Sequence, residues 1–377
     1  MALTISGFTM TGNLTAVHIP PPPPPVIYYL WTWGRNYFGQ LGLGDKSNRS
    51  SPNQVGGSND WSSLTGGYFY TQSIKPNGTL WTWGQNSEGQ LGLGNTTNIS
   101  SPQQVGALTN WSIIESGLNH TLSIKTDGTL WSWGLNAYGQ LGQGDTTNKS
   151  SPVQVGALTS WSNISATGEY SLSIKTDGTL WGWGRNRFGQ LGTGDTNNRS
   201  SPVQIGAGTT WSKISAGTNH GLALKTDGTM WAWGYNASGE LGLGNKTNIS
   251  SPQQVGALTT WSSISGGGEF SVAIKTDGTL WGWGYNYNRT LGLGNSTNYS
   301  SPKQIGALTT WSKIAASTGH TTAIKTDGTL STWGYNGYGG LGLGSSATFF
   351  DSPNQVGSLT NWISISRFGE HNAALSL

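Results

Sequence analysis

Apolar and polar positions along this chain repeat every 50 residues, with Trp33, Trp83, Trp133, Trp183, Trp233, Trp283 and Trp333 marking the period. A period of that length means one supersecondary unit copied along the chain, and it predicts a closed or stacked array. In the copy at 111–160, Trp111-Ser-Ile-Ile-Glu-Ser alternates enough to predict a short strand, Gly117 to His120 turns the chain, and Thr121 to Lys125 alternates again. Thr126-Asp127-Gly128 reads as a hairpin turn, because Asp-Gly tolerates the positive φ such turns need. Thr129 to Trp133 predicts a third strand; Trp131 and Trp133 share one face of it, which should pack on the next sheet. Gly134 to Gly144 is too glycine-rich for a helix and reads as a shaped loop, ended by Ser150-Ser151-Pro152. Val153-Gln-Val155 predicts a short outer strand.

Four short strands per copy and seven copies predict an all-β chain folded as a seven-bladed β-propeller over residues 26–377. The ends decide between a ring and an open solenoid. Tyr28 to Trp33 aligns with the third strand of a copy, and His371 to Leu377 aligns with the second. The chain is thus cut at one hairpin, and pairing of the N- and C-terminal strands completes the seventh blade. A solenoid would need polar caps instead of complementary ends.

All 20 tryptophans fall on repeat positions. Besides the seven above, six lie two residues earlier, at Trp31, Trp81, Trp131, Trp181, Trp231 and Trp281, and seven more are Trp61, Trp111, Trp161, Trp211, Trp261, Trp311 and Trp362. That regularity assigns them to the scaffold. The chain has no cysteine, only 9% charged residues and a net charge of +3, with its 19 Lys and Arg scattered. This argues against disulfides, Cys-ligated zinc and a phosphate-binding surface, so no nucleic acid partner is expected. No apolar run suits a membrane span.

The string Gly-x-x-His, then Lys-Thr-Asp-Gly-Thr-Leu/Met-Trp-x-Trp-Gly-x-Asn-x-x-Gly-Gln/Glu-Leu-Gly-x-Gly, seen at 117–144 and 217–244, resembles the regulator of chromosome condensation repeat family. The resemblance covers residues 26–377 and implies a seven-bladed propeller closed by both termini. In the founding member the activity implied would be nucleotide exchange on a small GTPase, through a wedge inserted into one blade. Here the spacing departs from 50 by a single residue, near Phe349-Phe350-Asp351, which leaves no room for a wedge. The relative's basic chromatin-binding tail is also missing. Other relatives grip a protein with a bare propeller face, as in a bacterial inhibitor of β-lactamases, and that use needs only variable loops.

Candidate chemistry within the repeat reads as scaffold. His120, His220, His320 and His371 share one position with Tyr70, Tyr170 and Phe270, so packing with a polar tip explains them better than a metal site does; His320 and His371, on adjacent blades, are the one pair to check. Glu169, Glu269 and Glu370 precede that position and lack the contrast of environments that catalysis by paired carboxylates needs. Lys75, Lys125, Lys175, Lys225, Lys275 and Lys325 should form a ring neutralised by Asp127, Asp177, Asp227, Asp277 and Asp327. Asn48-Arg-Ser and its copies fit a glycosylation triplet but recur as turn residues. No enzyme, metal or cofactor is expected.

Function is sought where the copies differ. After each Trp-Gly an Asn stays and its neighbours change, giving Arg35, Tyr37 and Phe38; Tyr138; Arg185, Arg187 and Phe188; Tyr235; Tyr285 and Tyr287; Tyr335 and Tyr338. The sixth copy also breaks pattern at Arg289-Thr290. Tyr, Phe and Arg dominate interface hot spots, and all seven loops should emerge on one face, forming a surface for a protein or glycan. Residues 1–25 belong to no repeat. Residues 1–19 are uncharged apart from the terminus and mildly apolar, and read as a docking arm; six prolines at 20–25 read as a stiff spacer of roughly 19 Å. No secretory leader is read there. The expectation is a non-catalytic interaction protein anchored by its arm to a larger assembly, such as a phage particle appendage, in a virion or other extracellular setting. The alternative is a soluble, cytoplasmic protein-binding regulator of exchange-factor or inhibitor type.

Overall fold

The computed structural model describes residues 28–377 apart from Asn59 and Phe368, so the arm and spacer assigned to 1–25 lie outside the described residues. Seven four-stranded antiparallel sheets follow one another around a ring. Blade 1 spans 63–104, blade 2 111–154, blade 3 161–204, blade 4 211–254, blade 5 261–304 and blade 6 311–355. Blade 7 is assembled from both ends of the described chain: first strand Trp362–Ile365, second His371–Ser376, third Tyr29–Gly34 and outer Arg49–Gln54. The closing register runs from Tyr29 opposite Ser376 to Gly34 opposite His371, as expected from the cut hairpin.

The first strands line the axis and touch one another from blade to blade. Each hairpin between second and third strands turns as the Asp-Gly reading requires; Gly128, for example, has φ of 77°. The Asp127 carboxylate accepts from the Thr129 N–H and hydroxyl at 3.0 and 2.6 Å, and the Trp131 indole donates to the same Thr129 hydroxyl at 2.9 Å. The aspartates hold their turns and also attract the neighbouring lysines electrostatically. Lys125 Nζ sits 3.5 Å from the Trp131 ring centroid and 4.8 Å from that of Trp111, and the same arrangement recurs at Lys175, Lys225 and Lys275. An ammonium over two indole faces gains a cation–π attraction that an exposed aspartate, screened by water, does not match.

The tryptophan pair of the third strand faces one side, as expected, but the sheet it covers is the one before it in the chain. Trp133 of blade 2 is buried with Ile74, Leu80 and Val105 of blade 1, beside Trp111 and Ile114. Its indole N–H donates to the Gln90 carbonyl of blade 1 at 3.0 Å. The outer strand also differs from expectation: in blade 2 it runs Lys149–Gln154 and includes Pro152, with a register shift between Lys149 and Val153. An outer edge lacks a further partner, so the missing proline N–H costs nothing there.

Candidate functional site

One end of the ring carries the first-to-second and third-to-outer connections together, and all seven variable loops lie there. The Arg35 N–H, for instance, donates to the Glu370 carbonyl at 3.1 Å and the Gln85 N–H to the Phe69 carbonyl at 2.9 Å. The constant Asn organises each loop. Asn36 Oδ1 accepts from the Leu41 N–H at 2.9 Å, its amide donates to Asp45, and its own N–H donates to Asn48 Oδ1 at 2.8 Å. Asn48 is thus a turn residue, as read. With both ends of the loop fixed, the side chains at 35, 37 and 38 and their equivalents are free to vary.

The structure sorts the candidate residues into three groups. In the first, Arg35 lies between the rings of Phe69 and Tyr338, at 4.6 and 4.7 Å, and is ion-paired with Glu370. Phe38 packs on Phe69 at 5.1 Å and on Tyr37 at 4.9 Å, and Tyr68 continues the cluster at 4.4 Å from Phe69. The second group repeats the same module in blades 2 to 4: Arg185 is ion-paired with Glu169 at 2.6 Å and stacked on Tyr138, Phe188 packs on Tyr235, and Arg187 reaches over Phe188. The third joins Tyr285 to Tyr287 in blade 5, and Arg289 and Tyr335 to Phe349 at the blade 5–6 junction. Tyr37 and Tyr287 are 66% and 70% exposed, so they reach solvent; Phe38, Tyr138, Arg185, Phe188, Tyr235 and Tyr285 are partly covered by neighbours.

Sequence reasoning missed Tyr68 and Phe69 as members of this surface and set Glu169 and Glu370 aside. They come from the first-to-second connection, whose residues before the His/Tyr position also vary between copies. Two departures from the repeat prove to be one feature. Arg289 adopts φ of 59° at a position glycine holds in the other six copies. A Cβ at the equivalent Gly39 would stand 2.5 Å from the Ser100 backbone of the next blade. At Arg289 the facing outer strand, Phe349–Gln355, carries the one extra residue, and Arg289 stacks on its Phe349. Arg289 thus keeps a left-handed conformation that ordinarily costs a non-glycine residue about 1 kcal/mol or more.

The histidines are buried couplers between blades. Thr71, Ser171 and Ser271 each donate their hydroxyl to a carbonyl, so the imidazole Nε2 of His371, His120 and His220 must donate to them, at 2.9, 3.1 and 2.9 Å. At His320 the roles reverse, because the Asn372 amide donates to its Nε2 at 2.6 Å. That contact joins the His320 and His371 blades, alongside the Thr318 hydroxyl, which donates to the Gly369 carbonyl at 2.9 Å. Burial lowers the histidine pKa values to about 3 at His120 and His371 and about 4 at His220 and His320. Among the described residues no three histidine or acidic side chains gather as a metal site.

Glu240 takes the place of a glutamine. In four copies the Gln Oε1 accepts a loop N–H, as Gln90 does from Glu88 at 2.8 Å; Gln90 Nε2 also donates across the blade junction to Asn119, whereas Nε2 of Gln40, Gln140 and Gln190 is buried without a partner. Glu240 keeps the first contact, from the Ser238 N–H at 2.9 Å, but its other oxygen is buried without a partner. Desolvation, with Glu269 nearby, raises its pKa to about 7. The folded protein therefore holds a proton that the unfolded chain releases above its ordinary value, and stability falls as pH rises from about 4.5 to 7. Glu240→Gln should add up to about 3 kcal/mol at pH 8 and almost nothing at pH 4. Urea unfolding at the two pH values checks this, and an equal effect at both would exclude it.

The axis holds a further residue that the sequence analysis passed over. Arg367, in the first-to-second connection of blade 7, crosses to three other blades: its guanidinium donates to Glu115 at 3.1 Å, Ser165 at 2.9 Å, Ser215 at 3.0 Å and the Ala216 carbonyl at 2.5 Å. The equivalent positions are Gly66, Ser116, Ala166, Ala216, Gly266 and Ala316, all small. One large cation among six small residues was the available signal.

The regulator of chromosome condensation (RCC1) repeat model matches residues 29–73, 77–124, 127–174, 177–224, 227–274 and 277–324. A second RCC1 repeat model matches 111–140, 161–190, 211–240, 261–289 and 311–339. Among solved structures, human WBSCR16 superposes with a TM-score of 0.83 at 21% identity, covering 93% of this chain and 98% of that one. Prp20p from Saccharomyces cerevisiae gives a TM-score of 0.83 at 19% identity over 93% and 92% of the two chains. Yeast RCC1 (Prp20) in its complex with Kap60 gives the same score and identity over 93% and 89%. At these identities the likeness speaks to fold. No curated protein sequence matches the chain. Seven blades, closure through both ends and repeat matches over most of the length together place this chain in the regulator of chromosome condensation repeat family.

Proposed function

We propose that this propeller is a non-catalytic interaction module whose loop face binds a protein or glycan, and whose N-terminal arm anchors it to a larger assembly. The observation that carries this reading is the opposition of the two ends of the ring. Tyr28 bridges to Trp61 at the hairpin end, so the described chain enters there. The three arginine–aromatic groups occupy the other end. A partner held by the arm would therefore leave the loop face open. Preformed clusters such as Arg35 between Phe69 and Tyr338 favour binding, because little side-chain entropy remains to be lost. A phage particle or other extracellular assembly is the setting this arrangement suits.

The second reading is a soluble protein-binding regulator. It is favoured by the fold neighbours: yeast Prp20p was studied for its binding to Gsp1p and histones, and yeast RCC1 is seen bound to Kap60. A nucleotide-release assay on small GTPases tests it, and no acceleration removes the exchange-factor form.

The direct test is a cross-linking pull-down from the native source with full-length protein and with a version lacking residues 1–25. The anchored reading expects a large structural protein captured by the full-length chain alone. It expects the combined Arg35→Ala, Tyr37→Ala and Phe38→Ala variant to lose a loop-face ligand at least about tenfold, as for hot-spot residues. Capture unchanged by both alterations would refute it.

A further inference from the structure

Blade 6 is the one copy that loses side chains at three neighbouring positions of the loop face. Gly319 stands where the other copies have Phe69, Asn119, Glu169, Asn219, Glu269 and Glu370. Gly340 stands where they have Gln40, Gln90, Gln140, Gln190, Glu240 and Thr290, and Gly337 where they have Tyr37, Ser87, Ala137, Arg187, Ala237 and Tyr287. The vacated space is a pocket of about 210 Å³, whose lining includes Asn288, Thr318, His320, Tyr335 and Glu370. The backbone does not require two of these glycines. Gly340 has φ of −58°, and a Cβ there would meet only the Gly337 and Glu370 carbonyls, at 3.2 and 3.6 Å. A Cβ at Gly319 would find nothing nearer than 3.5 Å. Gly337 serves differently: a Cβ on it would strike the Tyr335 ring at 2.3 Å, so its absence lets that ring lie down as a wall.

The lining selects the ligand. Among the described residues Glu370 is the only charged side chain in the pocket wall, and its ion pair with Arg35 already balances the carboxylate. An anion would meet Glu370, and a cation would find its charge spent. A purely apolar group would strand the Glu370 and Asn288 polar atoms away from water, at a cost of one to several kcal/mol each. A neutral polyol avoids all three penalties. Its hydroxyls can donate to Glu370 and accept from the Asn288 amide, and its C–H face can lie on Tyr335. The volume is below the roughly 300–1,000 Å³ of sites for drug-sized ligands, which suits one ring. We infer that this pocket accepts a single neutral saccharide residue, exposed on a glycan. This rests on the reading of the loop face as a binding surface and names one ligand class for it.

The test uses the intact chain and a panel of neutral glycans ending in hexose or N-acetylhexosamine, with binding followed by saturation-transfer NMR and on immobilised glycans. Gly340→Gln and Gly319→Asn restore the side chains that other blades carry at these places, and both should fold. Leu158→Ala, at an exposed residue on the opposite, hairpin end of the ring, is the control. The expected result is a glycan whose binding falls at least about tenfold in each refilled variant, with an unchanged melting temperature, and persists in Leu158→Ala, in line with loss of a central contact. Glycan binding insensitive to both refilled variants overturns the pocket while leaving the loop face as a binding surface. No binding by any panel member overturns the saccharide assignment, and the Arg35, Tyr37 and Phe38 pull-down then decides the wider reading separately.

Discussion

Acidification from pH 7 to about 5 should unfold this propeller, because four buried neutral histidines each withdraw roughly 1.4 kcal/mol per pH unit once the solution falls below their unfolded pKa. The sign follows from the direction of the shifts. His120, His220, His320 and His371 titrate at about 3 to 4 in the fold and near 6.5 in the open chain. Their contribution is complete above about 6.5 and is lost progressively as pH falls toward the folded values. Together they remove on the order of 5 kcal/mol per unit, against a total stability of typically 5–15 kcal/mol. Glu240 and Glu115, whose pKa values burial raises, run the other way over part of this range, but they are two groups against four. The turn aspartates, with pKa values lowered chiefly by the Thr hydroxyl and N–H at each hairpin, withdraw support only at still lower pH. The copies themselves supply the control: His120→Tyr and His220→Tyr install the residue that blades 1 and 3 use at this position. Each should reduce the slope of stability against pH and lower the acid midpoint. Circular dichroism across a pH series measures both, and a midpoint indifferent to these substitutions would show that other groups govern acid unfolding.

Arg367→Ala should cost about 3 kcal/mol, near the low end for breaking a buried ion pair, because Glu115 keeps 27% of its side-chain surface exposed. The loss has two parts. Four hydrogen bonds that tie blade 7 to blades 2, 3 and 4 disappear, and Glu115, whose pKa burial already raises against the pull of Arg367, loses its counter-charge. Glu115→Ser places the residue of blades 3 and 4 at that point and removes the stranded charge. The double variant should therefore recover a large share of the loss. Urea unfolding of the two single variants and the double gives the coupling directly. A cost under about 1 kcal/mol for Arg367→Ala would mean that the ring closes without this cross-axis tie.

The scaffold was readable because its determinants are local and repeated. The Asp-Gly turns lie within one unit, the tryptophan period recurs from unit to unit, and each terminal strand is recognisable by alignment with the copies; together they specify seven blades and the closing pair. Reading faltered where a residue's partner sits on another strand or in another blade. Lys125 lies two residues from Asp127 in sequence, yet its ammonium rests on Trp111 and Trp131. Arg367 and Glu115 are 252 residues apart, and nothing in either neighbourhood announces the pair. The loop-face groups show the same limit. Arg35, Tyr37 and Phe38 were visible as one variable segment, but Phe69, Tyr338 and Glu370 complete the cluster from three other connections. The outer strand was drawn too short because Pro152 reads as an ending, whereas an edge strand tolerates it.

Assembly of blade 7 from both ends of the described chain also sets a timetable for biosynthesis. The Tyr29–Gly34 and Arg49–Gln54 strands leave the ribosome before the other six blades, but the strand that pairs with Tyr29–Gly34 is made about 340 residues later, a delay of roughly 17–70 s at typical elongation rates. During that interval a two-strand ribbon bearing Trp31 and Trp33 waits with one edge unpaired, while the following six blades can form in order. The nascent chain thus carries its own sticky edge until the last strand arrives, and premature termination anywhere before His371 leaves that edge permanently open to other chains.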